Sequence, residues 1–185
     1  REKTMELKFE ELPYQLDAVN AVANLFAGQS NQTRAFDLTS WGAGRFVGNG
    51  LDLDWETLGR NLNAVQKQNG QPETEIGAHG LNFSLEMETG TGKTYVYLRT
   101  VYELNRRYGW KKFVIVVPGV PIREGVLKSL EMTKAHFDGV FDRPVMRYSE
   151  YSSTRLSDLR AFAVNDHIEI LVINIQSFEK DGNVI

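Results

Sequence analysis

The heptapeptide Glu88-Thr89-Gly90-Thr91-Gly92-Lys93-Thr94 constrains this chain more than any other stretch of it. Ahead of it, Leu81–Met87 alternates apolar and polar residues like a strand. Behind it, Thr94–Tyr108 carries Leu98, Val101, Leu104 and Tyr108 on one helical face, with Arg106 and Arg107 at the negative C-terminal end. Strand, glycine-rich turn and helix, in that order, are the context a phosphate-binding loop requires. Gly90 and Gly92 let the backbone turn tightly, so that successive N–H groups converge on a phosphate. The helix beginning near Lys93 adds its positive dipole end at the same point. The Lys93 ammonium reaches β- and γ-phosphates, and the Thr94 hydroxyl suits Mg²⁺. The strict pattern G-x-x-x-x-G-K-[ST] asks for glycine at position 87, where this chain has Met87. The GxGKT core and both flanking elements are nonetheless in place. Thr89, Gly90, Thr91, Gly92, Lys93 and Thr94 are therefore the candidate nucleotide ligands, Lys93 and Thr94 the candidate catalytic pair, and Thr94 the candidate metal residue.

Alternating strand and helix signals continue to the end of the chain. Phe113–Val117 is a continuous apolar run, expected of a central parallel strand buried on both faces. Pro121 starts a helix through about Ala135, Pro144–Tyr148 is a short strand candidate, and Ser153 is placed to cap a helix bearing Leu156, Leu159 and Phe162. Ile168–Ile173 is a second apolar, β-branched run. This alternation predicts a layered α/β sheet with right-handed crossovers. Upstream, residues 13–28 read as an amphipathic helix opened by Pro13 and closed by Gly28. Residues 29–50 are polar and glycine-rich, better suited to a hairpin or loop. Asp52 and Asp54 look like capping residues for a helix with Leu58, Leu62 and Val65, closed by Gly70.

Tyr14-Gln15 begins the first helix. A glutamine amide donates and accepts at once, which suits an adenine base, although the pair can equally start a core-packing helix. Glu86 and Glu88 read as a strand and a loop residue rather than a catalytic carboxylate pair. Several other chemistries are excluded. The chain has no cysteine, which removes disulfides, thiolate metal sites and a cysteine nucleophile. His79, His136 and His167 are far apart with no paired ligand spacing, so zinc is not expected. Gly42, Gly44 and Gly48 do not complete a dinucleotide fingerprint because position 47 is Val47. Asp181-Gly182-Asn183 reads as a turn. With 21 Lys+Arg against 24 Asp+Glu the net charge is −3, so charge alone does not announce nucleic acid. No apolar run approaches the roughly 20 residues that span a bilayer, and no signal-peptide pattern opens the chain. A cytoplasmic protein with no membrane partner is the expectation.

Three stretches together resemble superfamily 2 helicases. Leu12-Pro13-Tyr14-Gln15 is similar to their glutamine segment, Met87–Thr94 to motif I, and Val116-Val117-Pro118-Gly119-Val120-Pro121-Ile122-Arg123-Glu124-Gly125 to motif Ia. The closest resemblance is to the Res subunit of type III restriction enzymes, which carry METGTGKTYVYLRT and VVPxVxIREGVLKS in nearly this wording. Leu171-Val172-Ile173-Asn174-Ile175-Gln176-Ser177-Phe178 resembles the segment just ahead of the family's acidic motif II. The likeness covers about residues 8–28 and 81–181, and residues 30–76 far more weakly.

The resemblance implies the N-terminal RecA-like motor domain of an ATP-dependent DNA translocase and restriction endonuclease, with a mostly parallel sheet and helices on both faces. It implies ATP and Mg²⁺ at Lys93 and Thr94, with Gln15 reading adenine. Pro118, Gly119, Arg123 and Gln176 would touch DNA, and a modification (methyltransferase) subunit would complete the complex. Residues 1–185 would be one motor domain, with 30–76 a family-specific insertion. Arg1 in place of a methionine, and a strand-like run and turn just before Ile185, lead us to expect a piece of a longer chain. The water-orienting acidic motif, the second motor domain and the nuclease would lie beyond it. The piece alone would then bind nucleotide weakly and turn over little ATP. Two other readings carry the same loop: a superfamily 2 helicase or remodeller without a nuclease, and a non-catalytic nucleotide-dependent DNA-binding module.

Overall fold

In the computed structural model of the chain, which describes residues 9–37, 45–77, 80–152 and 154–176, Pro13 opens α1 (Pro13–Asn24) where a missing N–H leaves nothing unsatisfied. The sequence carries this helix to Gly28, but regular winding stops at Asn24. The next turn tightens, with the N–H groups of Leu25, Phe26 and Ala27 donating to carbonyls three residues back. Asn61 finishes this end, its amide donating to the carbonyls of Leu25 and Ala27 at 3.0 and 2.9 Å. The polar stretch that follows forms the expected hairpin, β1 (Thr33–Asp37) antiparallel to β2 (Arg45–Asn49). Asp54 caps α2 (Trp55–Gln68) by accepting the Thr57 N–H at 2.7 Å, a bond that holds its carboxyl below the usual range. Asp52 does a different job from the one its sequence position implied. It accepts from Gln29 Nε2 at 3.1 Å and so fastens the turn after α1.

The remaining elements are α3 (Lys93–Tyr108), β3 (Lys112–Val117), α4 (Val120–Val140), β4 (Met146–Glu150), α5 (Leu156–Val164) and β5 (Ile168–Asn174). The three strands form a parallel sheet in the order β3-β5-β4. The step from β3 to β4 crosses over β5, and the step from β4 to β5 comes back. With right-handed crossovers, steps in opposite directions put α4 and α5 on opposite faces. One core unites Leu98, Val101 and Tyr102 of α3, Val126, Leu130 and Phe137 of α4, and Ile168, Ile170 and Val172 of β5. All seven residues of β5 are buried. Among the described residues no helix is long and apolar enough to cross a membrane.

Three expectations need correction. Leu81–Met87 is not a strand: it has no ladder partner among the described residues. Alternation specifies two faces, but a strand also needs a neighbour to take its backbone hydrogen bonds. Phe113–Val117 is an edge strand rather than a central one, with Val114 51% and Val116 53% exposed. The central position belongs to β5, because an apolar run says that a strand can be buried, not which of two such runs sits in the middle. The third concerns α5, whose N-cap is Arg155, which makes no side-chain capping hydrogen bond. Ser153, like Gly42, Gly44, His79 and Asp181–Asn183, lies outside the described residues.

At the C-terminal end of α3 the two arginines do more than face the dipole. Glu103, 5% exposed, accepts from Arg106 at 2.6 Å and from Arg107, which also reaches Asn24 and Asn20 on α1 at 2.8 and 2.6 Å. Burial alone would raise the Glu103 pKa, but the two guanidiniums prevail and hold it below the ordinary range. A depressed folded-state value means that this stabilisation is complete above the unfolded value and fades as pH falls through the folded one. Glu103→Gln is therefore expected to cost about 1–2 kcal/mol at neutral pH in denaturant melts. The gap to the parent should close below about pH 4.

Candidate nucleotide-binding site

The loop from Glu88 to Gly92 turns on two glycines in the left-handed region, Gly90 at φ 82° and Gly92 at φ 87°. Met87 explains why the strict glycine is dispensable here. It is not among the residues with positive φ, and its side chain packs against Ala18, Val19 and Val96. Gly92 is the N-cap of α3 and offers no side chain to the helix, so the first N–H groups have no side-chain cap. The ammonium of Lys93 accepts no partner but donates to the carbonyls of Met87 and Glu88, at 2.5 and 2.7 Å. Thr91 Oγ1 donates to the same Glu88 carbonyl at 2.6 Å and braces the turn. Glu86 and Glu88 are both exposed, and Glu88 acts through its backbone, as a loop residue should. Next along α3, burial pushes the Tyr97 hydroxyl up in pKa, with a hydrogen bond to Thr94 pulling the other way.

Gln15 reaches this loop from 76 residues away in sequence. It is 7% exposed, and its Nε2 donates to the Thr91 carbonyl at 2.9 Å, while the Tyr14 hydroxyl donates to the same oxygen at 3.2 Å. A Cβ built on Gly92 would stand 2.5 Å from Gln15 Nε2, so the glycine is needed for this close approach as well as for its φ. The contact consumes one of the amide's two N–H groups, leaving the other and the Oε1 for a ligand. Beside it opens a cleft of about 1010 Å³ between α1, α2, residues 71–77 and the unpaired 81–87 segment. Tyr14, Glu88 and Thr91 form its rim toward the loop.

The second group of candidates gathers at the carboxyl ends of the strands, where α/β sheets bind ligands. Pro118 and Gly119 follow β3 directly, and Ile175 N–H donates to the Val117 carbonyl at 2.9 Å, which sets the exposed Gln176 next to them. Arg123, in the first turn of α4, is 15% exposed at its side chain. It is paired with Glu150 at the end of β4, at 2.5 Å, and with Glu124 at 2.8 Å. Because α3 runs away from the loop and β3 returns, the phosphate-type turn and this group face the same edge of the sheet.

The sequence profile of the family described as "Type III restriction enzyme, res subunit" matches residues 8–184. The chain belongs to that family. Among relatives of this Res-family chain, the EcoPI Res subunit of Escherichia phage P1 is 32% identical over 144 residues, 75% of the chain and 14% of the relative. The EcoP15I Res subunit of Escherichia coli is 33% identical over the same span and shares. The StyLTI Res subunit of Salmonella typhimurium is 45% identical over 67 residues, 35% of the chain and 7% of the relative. The chain thus spans about a seventh, 14%, of the first two relatives it matches. Its fold is the mixed α/β, RecA-like architecture of a P-loop helicase domain.

Sequence reasoning did not find every residue at the site of this Res-family chain. Glu11 and Glu150 carry no motif, and Tyr95 and Arg99 stand inside the METGTGKTYVYLRT stretch with no role that local pattern assigns them. Their partners are distant in sequence, as with Glu11 and Arg99 at 2.8 Å and Arg123 with Glu150. An isolated charge in a sequence does not name its counter-ion. Among the described residues no three acidic or histidine side chains come together to hold a metal.

Proposed function

We propose that this chain is the first ATP-binding motor domain of a type III Res subunit, an ATP-dependent DNA translocase and restriction endonuclease of the cytoplasm. The observation that carries this reading is the junction of Gln15 with the 88–94 turn: an amide aimed beside a loop that offers uncapped N–H groups, an ammonium and a hydroxyl. Those groups suit the base and the phosphates of ATP at opposite ends. Lys93 would exchange two neutral carbonyls for charged phosphate oxygens. Thr94 would hold Mg²⁺ from the protein side, with ATP phosphates and water as its other ligands, in keeping with that ion's habit of binding through few protein groups. The ion supplies charge neutralisation on the phosphates.

DNA is the second partner in this reading. Pro118 and Gln176 are exposed and Gly119 is partly exposed at the strand ends, and Arg123 supplies a cation that a DNA phosphate would share with Glu124 and Glu150. The modification methyltransferase subunit is the protein partner of the whole enzyme. Residues 30–76 are an insertion in this reading, and its described part packs on the motor core. Asn49 bonds both the N–H and the carbonyl of Lys112, at 3.0 and 2.7 Å, and Trp110 Nε1 donates to the Gly50 carbonyl at 2.9 Å.

Calorimetric titration with ATP, with and without Mg²⁺, tests the assignment. Mg²⁺ should tighten ATP binding by about tenfold, worth about 1.4 kcal/mol, in the parent and by little in Thr94→Ala. Equal Mg²⁺ enhancement in the two proteins would remove Thr94 from the metal site.

A further inference from the structure

The segment ahead of α1 is fastened to the helix that begins at the phosphate-type loop. Glu11 Oε1 lies 2.8 Å from Arg99 Nη1, and the same nitrogen donates to the Tyr95 hydroxyl at 2.7 Å. That hydroxyl in turn meets His136 Nε2 of α4 at 2.9 Å. Phe9 lies over both rings, with centroids 5.9 Å from Tyr95 and 4.9 Å from His136. The Arg99 side chain is 10% exposed and that of Glu11 45%. Burial works against the charge of Arg99, and the bonds to Glu11 and Tyr95 more than offset it. A buried guanidinium would be costly without this partner.

The position of the fastening matters more than its strength. Glu11 stands one helical turn before Gln15, and Tyr95 directly follows Thr94. The Leu12 carbonyl accepts from the Gln15 and Leu16 N–H groups, so the anchored strap passes straight into the turn that carries the glutamine. Farther along, Val19 packs on Val96, and Arg107 and Tyr108 bond α1 near its end. Those contacts hold the middle and end of α1, while its first turn is held by the Tyr14 and Gln15 bonds to Thr91 and by the strap ahead of it. From the strap side, the Glu11–Arg99 ion pair and the packing of Phe9 on Tyr95 tie that turn to α3. The Gln15 amide occupies space that a Cβ on residue 92 would fill, and a shift away from the loop breaks its bond to Thr91.

We propose that Glu11 and Arg99 are a positioning pair that holds the Gln15 amide at the height of the adenine base, so that they set base selectivity without touching the nucleotide. This rests on the reading of the 88–94 turn and Gln15 as an ATP site. The pair acts on the base end of the site and leaves the phosphate end alone, which separates it from a merely structural contact.

The test compares ATP, GTP and inorganic tripolyphosphate as probes, titrated into the purified chain and into Glu11→Gln, Lys93→Ala and the charge-exchanged E11R/R99E protein. Glu11→Gln should bind ATP about fivefold to tenfold more weakly, bind tripolyphosphate as the parent does, and lose most of the preference for ATP over GTP. The exchanged pair should regain most of that preference. An unchanged ATP-to-GTP ratio in Glu11→Gln overturns the proposal, as does an equal loss of tripolyphosphate binding or a failure of E11R/R99E to recover while it melts as the parent does. Parent binding of ATP that Lys93→Ala leaves intact would instead sink the nucleotide-site reading, and this proposal with it.

Discussion

Lys93→Ala is expected to weaken ATP binding by about a hundredfold, close to 3 kcal/mol, and to abolish ATP turnover by the full-length enzyme. The size follows from what surrounds the ammonium. Without ligand its charge is satisfied by the carbonyls of Met87 and Glu88, which are neutral acceptors. With a triphosphate beside the turn, the same charge meets ionised oxygens, and charge-assisted bonds are about twice as strong as neutral ones. Alanine removes that gain and also leaves two carbonyl oxygens facing the incoming phosphates. The loop should still form, because its shape depends on Gly90, Gly92 and the Thr91 brace rather than on the lysine. Thermal melts of Lys93→Ala should accordingly stay close to the parent while titration with ATP separates the two.

The second large effect is on stability. Phe137→Ala should cost about 3–5 kcal/mol, the range for deleting a fully buried aromatic ring. Phe137 is completely buried and sits amid Tyr95, Tyr102, His136 and Phe141, with ring centroids 4.8 to 6.2 Å away. It is the main apolar link between α4 and α3, so its loss leaves a cavity directly behind the helix that starts at Lys93. For a chain of this length the melting midpoint should fall by roughly 6–20 °C. Calorimetric scans of the two proteins under identical conditions provide the check. A drop of only a degree or two would mean that α4 settles onto α3 without this ring.

Much of this was legible from residue types alone. Asp54 before an amphipathic run announces a cap, and the structure has it accepting the Thr57 N–H. The glycines at 90 and 92 announce a tight turn, and both have positive φ. The amide chemistry of Gln15 suited an adenine base as well as a core-packing helix, and the family resemblance added a place beside the loop. The physical link, a shared acceptor at the Thr91 carbonyl, spans about 76 residues and leaves no periodic trace. The two strand failures have one cause. Leu81–Met87 and Phe113–Val117 both look like sheet strands, yet among the described residues one lacks a partner and the other lies at an edge. Pairing and strand order are properties of neighbours, and local pattern describes only the strand itself. The same holds for Glu11 and Arg99, whose charges meet only after α1 has packed along α3.

Hydrogen exchange of the backbone amides, measured with and without saturating MgATP, tests the central claim most directly. The account predicts slowed exchange at residues 89–95, where uncapped N–H groups would donate to phosphate oxygens, together with slowed exchange in the first turn of α1 around Gln15. The same nucleotide should leave both segments unchanged in Lys93→Ala. Protection confined to other parts of the chain, or equal protection in Lys93→Ala, would contradict it.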